Sequence, residues 1–124
     1  MNLPHKRILL TGATGYVGRH LLPTLIAAGH EVRCMTRHPE KADFPAGAVA
    51  VKGDVLSGEG LAQALAGCDV AFYLVHSMEA GEGSFADRDK RAAQNFSKAA
   101  ADEGVERTIS KDALPSPMII AARA

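Results

Sequence analysis

Three glycines at fixed spacing, Gly12, Gly15 and Gly18, constrain this chain more than any other feature. Before them stands the short apolar run Ile8-Leu9-Leu10, which reads as a strand ending at Thr11. After them Val17, Leu21, Leu25 and Ala28 fall on one helical stripe, with Gly29 placed as its stop and Pro23 inside it as a source of mild kinking. A glycine-rich turn between a strand and a helix has a specific physical use. Gly12 permits the tight turn, Gly15 lets the backbone approach a pyrophosphate, and Gly18 lets the helix pack closely on the sheet. The helix N-terminus then offers free N–H groups and the positive end of its dipole to the phosphates.

The rest of the chain repeats the alternation of strand and helix. Glu31 to Thr36 and Val49 to Val51 read as strands two and three, the latter closed by Gly53-Asp54. Leu61, Ala64 and Leu65 recur at helical spacing before Gly67, and Val70 to Val75 reads as a fourth strand buried on both faces. A long helix is expected from about Ser84 to Glu103, with Phe85, Ala92, Phe96 and Ala99 or Ala100 turned inward, and a fifth strand begins over Val105 to Ile109. This alternation predicts an α/β fold, a doubly wound parallel sheet in the order 3-2-1-4-5. Residues 1–110 are expected to form an incomplete dinucleotide-binding domain. Ser110-Lys111-Asp112 breaks the apolar run of strand five, and Pro115 and Pro117 keep the adjoining residues extended. Residues 111–124 therefore read as an irregular tail, as though the sheet were cut or rejoined near residue 110.

Composition removes several alternatives. The 124 residues suit one domain, and fourteen Lys+Arg balance fourteen Asp+Glu. No global field draws such a chain to nucleic acid or anionic lipid, and 5% aromatics with no Trp make a base-stacking platform a poor reading. The basic stretch Met1 to Arg7 precedes an apolar run too short for a signal sequence, and no run is long enough to span a membrane, so a cytoplasmic chain is expected. Cys34 and Cys68 have no metal or redox spacing and read as buried free thiols. The histidines have no metal-ligand spacing, so no metal is assigned.

The run Thr11 to Gly18, followed by Gly53-Asp54 and by Ala71 to Ser77, resembles the extended and atypical short-chain dehydrogenase/reductases, in the epimerase-like and nitrogen-regulator-like branch. The resemblance covers roughly residues 7–107. It implies an NAD(P)-binding Rossmann domain in which Gly12, Thr14, Gly15, Tyr16, Val17 and Gly18 serve the pyrophosphate. It places Asp54 and Val55 at the adenine, and Leu74, Val75, His76 and Ser77 beside the ribose and nicotinamide. Read from the residues alone, Asp54 has the alternative of capping the next helix, and His76 and Ser77 that of ordinary strand-end polar groups. The catalytic pair of that family, a Tyr followed four residues later by Lys, is missing: Tyr16 and Tyr73 are followed at that distance by His20 and Ser77. No catalytic residue is assigned, and this chain by itself is expected to be inactive. A non-catalytic NAD(P)-sensing module acting through a protein partner is the alternative.

The cofactor expected is NADP(H), with NAD(H) as the alternative. An NAD site places an acid about 20 residues past the glycines, to accept from the ribose 2′-hydroxyl. The stretch Arg33 to His38 contains none. Arg37, at the carboxyl end of strand two, suits a 2′-phosphate, with Arg33 on the same face either assisting or merely solvated. A sheet of four or five strands also leaves an open edge, which predicts self-association through that edge or the tail from Leu114 to Ala124.

Overall fold

A computed structural model describes residues 6–13, 15–74 and 83–110 of the chain. Thr14, Val75, His76, Ser77 and the tail lie outside these residues, as do the side chains of Tyr16 and Phe85. Five strands and three helices alternate. They are β1 (Arg7–Thr11), α1 (Tyr16–Ala27), β2 (Glu31–Thr36), β3 (Ala48–Lys52), α2 (Leu61–Leu65), β4 (Val70–Tyr73), α3 (Gly83–Asp102) and β5 (Arg107–Ser110), with a 3-10 turn at Pro39–Lys41. All strand pairs are parallel, in the order β3-β2-β1-β4-β5. This is the Rossmann-like doubly wound sheet that the alternation predicts.

Side-chain alternation splits the core into two layers. Ile8, Leu10, Val32, Cys34 and Phe72 face α1, where they meet Val17, Leu21 and Leu22. Leu9, Met35 and Ala71 face the other way, onto Leu61 and Leu65 of α2 and Phe96 and Ala100 of α3. β1 is central and its three leucine and isoleucine side chains are fully or nearly buried. Both cysteines are free and buried, and burial raises the Cys34 thiol pKa to about 11. The Cys68 thiol is also raised, again by burial.

Several boundaries differ from the sequence reading for local reasons. Leu22, not Ala28, completes the buried stripe of α1. Ala28 caps the helix and is exposed, and Gly29, at φ 90°, donates to the Ile26 carbonyl while His30 donates to Leu25. That is a Schellman ending, which needs the left-handed residue glycine supplies. β4 ends at Tyr73, two residues short of the apolar run, and Val70 and Tyr73 are only half-buried. β5 starts at Arg107 and not at Val105. Val105 instead closes the end of α3, donating to the Ala100 carbonyl at 3.0 Å. Ser110 does not break β5 but is its last residue, opposite Tyr73, because an edge strand tolerates polar side chains.

Candidate functional site

Parallel pairing brings the carboxyl ends of all five strands to one edge of the sheet. Thr11 stands opposite Met35 and Tyr73, and Thr36 opposite Lys52. In doubly wound sheets ligands bind at this edge, where the strand order reverses, here between β1 and β4. A cleft of about 390 Å³ opens there, walled by Thr11, Gly12 and Ala13 from the first turn, Thr36, Arg37 and His38 after β2, and Gly53 to Leu56 after β3.

The first turn is built around its glycines. Gly12 sits at φ 95°, a conformation that side chains disfavour, and its carbonyl accepts from the Gly15 N–H at 3.1 Å. Gly18 has no room for a Cβ, which would overlap the Gly12 carbonyl oxygen and lie 2.8 Å from Ala13 Cα. Its absent side chain therefore lets α1 lie against the turn itself, more than against the sheet. Gly15 differs from both. It is exposed, has an ordinary φ of −74°, and a Cβ there would meet only the Gly12 carbonyl at 3.3 Å. The protein's own packing thus demands glycine less strictly at position 15 than at position 18, and the exposed space beside it is open to an approaching ligand. Thr11, also in the cleft wall, is only 3% exposed, and its buried hydroxyl has no hydrogen-bond partner among the described residues. An orphaned polar group in the wall and an open cradle at a helix N-terminus fit a phosphate-bearing ligand.

The loops after β2 and β3 are tied to each other and to the sheet. The Thr36 carbonyl accepts from Gly53 N–H at 3.0 Å, and its hydroxyl accepts from His38 N–H at 3.2 Å. Arg37 lies in the bend this makes, exposed at the cleft wall, and no described residue engages its guanidinium. Asp54 caps no helix, since the N-cap of α2 is Gly60. Its carboxylate instead accepts from Leu56 N–H at 2.9 Å and its carbonyl from Gly58 N–H at 2.8 Å, forming a tight turn. Val55 and Leu56 complete this wall.

Not all the expected residues meet in the cleft. Val17 and Leu74 turn their side chains into the α1-side core, and only the backbone of Leu74, donating to Thr11 carbonyl at 2.8 Å, bears on the strand ends. Arg33 neither assists Arg37 nor sits in solvent. It donates to the Ala64 and Ala66 carbonyls, at 2.9 and 2.7 Å, and so closes the carboxyl end of α2. One residue that sequence reasoning passed over is Asn95. From α3 its side-chain amide donates to the carbonyls of Val55 at 2.9 Å and Leu56 at 3.0 Å. The one signal for it was a helix-disfavouring polar residue directly before the buried Phe96. Among the described residues no cluster of side chains could hold a metal ion, and no helix is long and apolar enough to cross a membrane.

Comparison with known proteins gives this edge its family. Residues 12–116 match the profile of the NAD(P)H-binding family. A 3-beta-hydroxysteroid dehydrogenase of Mycolicibacterium neoaurum is 42% identical over 67 residues, covering 54% of this chain and 18% of that protein. A 4-hydroxy-2-methyl-3-oxo-4-farnesyl-3,4-dihydroquinoline-1-oxide ketoreductase of Stigmatella aurantiaca is 33% identical over 107 residues, covering 83% of this chain and 32% of that protein. Among solved structures, a nucleoside-diphosphate-sugar epimerase of Staphylococcus aureus superposes with a TM-score of 0.68 at 26% identity, covering 84% of this chain and 37% of that one. This chain spans less than a third of the length of these two curated relatives. With a three-glycine turn between β1 and α1 at the switch point of a 3-2-1-4-5 sheet, the chain belongs to the NAD(P)H-binding family and corresponds to the Rossmann-type cofactor-binding portion of the extended, epimerase-like short-chain dehydrogenase/reductases.

Proposed function

We propose that this chain binds NADP(H) in preference to NAD(H), as the cofactor half of an oxidoreductase or epimerase-like protein. The observation that carries the reading is the contrast between Gly18, where a Cβ would collide with the backbone of residues 12 and 13, and Gly15, where it would press on the Gly12 carbonyl alone, at 3.3 Å. A glycine that packing demands less strictly, beside the N-terminus of α1, is explained by a ligand that comes close to the backbone. In this reading the pyrophosphate lies over residues 12–18, including Thr14 and the backbones of Tyr16 and Val17. Adenine lies against Asp54 and Val55, and Arg37 takes the 2′-phosphate. The ribose and nicotinamide extend toward Leu74, Val75, His76 and Ser77. Bound there, the nicotinamide would supply hydride chemistry. Residues 1–110 would form the binding domain, with 111–124 as a tail, in a cytoplasmic protein.

A non-catalytic sensing module, in which the bound cofactor reports to a protein partner, is the second reading. On both readings the chain binds cofactor, so the test is direct. Calorimetric titration with NADPH should show saturable binding, and Gly15→Leu should abolish it while the thermal unfolding curve stays close to that of the parent. Equal binding by Gly15→Leu would refute the site.

A further inference from the structure

The Asp54 turn stands on the outer wall of the cleft, with Val55 half-buried against the α2–α3 core. Its internal hydrogen bonds, to Leu56 and Gly58, set the shape of the turn but not its position over the sheet. Position comes from Gly53, bonded to Thr36, from Val55 packed against the α2–α3 core, and from a contact 40 residues away in sequence. From the half-buried middle of α3, the amide nitrogen of Asn95 donates its two hydrogens to the successive carbonyls of Val55 and Leu56. A single amide spanning two consecutive carbonyls fixes both the height and the tilt of the turn. The α3 helix beneath it is anchored by Ala92, Phe96 and Ala100 in the core, so the clamp refers the turn to a rigid element.

We propose that Asn95 is the positioning residue for the adenosine end of the cofactor site: by clamping the Val55 and Leu56 carbonyls to α3, it sets the turn against which the adenine rests. This role rests on the proposed binding of the dinucleotide in the cleft. A helix-interior asparagine would be replaceable by alanine or leucine if only helix stability mattered. In this structure each of its donor hydrogens has a carbonyl acceptor, and both acceptors belong to one wall of the cleft. Asn95 itself is not among the residues walling that cleft, so it acts through the turn and not on the ligand.

The test uses the whole chain and the Asn95→Ala and Asn95→Asp variants, with two independent readouts. Without ligand, amide exchange at Leu56 and Gly58 should accelerate tenfold or more in Asn95→Ala, while amides in the α3 interior keep their protection. With ligand, the affinities for 5′-AMP and NADPH should both fall fivefold or more. Asn95→Asp adds a signature that a merely structural role does not produce. Its ionised carboxylate faces two carbonyl oxygens and repels them, whereas the protonated acid can donate to one, so 5′-AMP affinity should recover relative to the parent as pH falls toward the carboxyl pKa. Unchanged exchange at Leu56 and Gly58 would refute the clamp. Accelerated exchange with undiminished affinity for 5′-AMP and NADPH would refute its role in binding. A parent that binds neither compound would refute the cofactor assignment and with it the role in binding, while accelerated exchange would still support the clamp.

Discussion

At the scale of single residues, the cofactor preference turns on Arg37. It stands one residue beyond β2, exposed at the cleft wall, with no described acid engaging it. Asp54, Glu40 and Glu59 border the same part of the cleft, yet among the described residues none forms an ion pair with Arg37, and the Asp54 carboxylate accepts from Leu56 N–H at 2.9 Å. The guanidinium is left to fork onto a phosphate. Arg37→Ala should weaken NADPH binding by about 1.5–3 kcal/mol, the range for a hydrogen bond to a charged group, and barely change NADH. Parallel titrations with the two cofactors check this, and equal losses would sink the 2′-phosphate assignment. The glycine turn and the placement of Arg37 at the cleft wall were legible in sequence because they follow from local backbone conformation and from position relative to a strand end. Asn95 and Arg33 were not, because each acts on carbonyls more than 30 residues away. Backbone acceptors carry no sequence signature.

Among the elements, α1 and α3 were readable because their apolar stripes are long and end at glycines that the helix stop requires. Gly104, at φ 73°, closes α3 as Gly29 closes α1, each followed by a residue donating back into the last turn. β4 and β5 were misjudged at their ends, since hydropathy does not mark where pairing with a neighbour stops. The shortest helix depends most on its surroundings. α2 has five residues, too few to persist without tertiary support, and its terminal carbonyls need donors. Arg33, reaching across from β2, supplies them at Ala64 and Ala66. Removing it leaves those acceptors to water and frees a helix whose Leu61 and Leu65 cover the sheet. Arg33→Ala should cost about 1–3 kcal/mol, lowering Tm by roughly 4–12 °C. Amide exchange at Ala64 and Cys68 should accelerate before that of β1. An unchanged Tm would show that the helix is held by its apolar contacts alone.

Across the whole molecule, the two faces of the sheet are covered unequally. α2 and α3 lie on one face and α1 alone on the other; α1 reaches Phe72 of β4, but β5 beyond it has no helix over its α1-side face among the described residues. A groove of about 550 Å³ runs there, floored by Ile8, Leu25, Val70, Phe72 and Ile109, with Lys6, His30, Glu106 and Arg107 at its rim. Beside it β5 is an edge strand, whose outer N–H and C=O groups have no ladder partner among the described residues. An apolar groove beside an open edge favours association, and a rim carrying both signs of charge suits a second copy of the same chain in a two-fold arrangement. We expect this chain to self-associate through that face, with the weight-average mass in sedimentation equilibrium rising with concentration toward twice 13.0 kDa. Ile109→Lys places a charge on the groove floor at the edge strand and should hold the protein monomeric. Because the groove lies at β4 and β5 and Arg37 lies past β2, NADPH affinity should survive that substitution. A parent that stays monomeric at every concentration would refute the interface. A variant that still associates would move the interface to the other edge, at β3, where Val49 is 60% exposed.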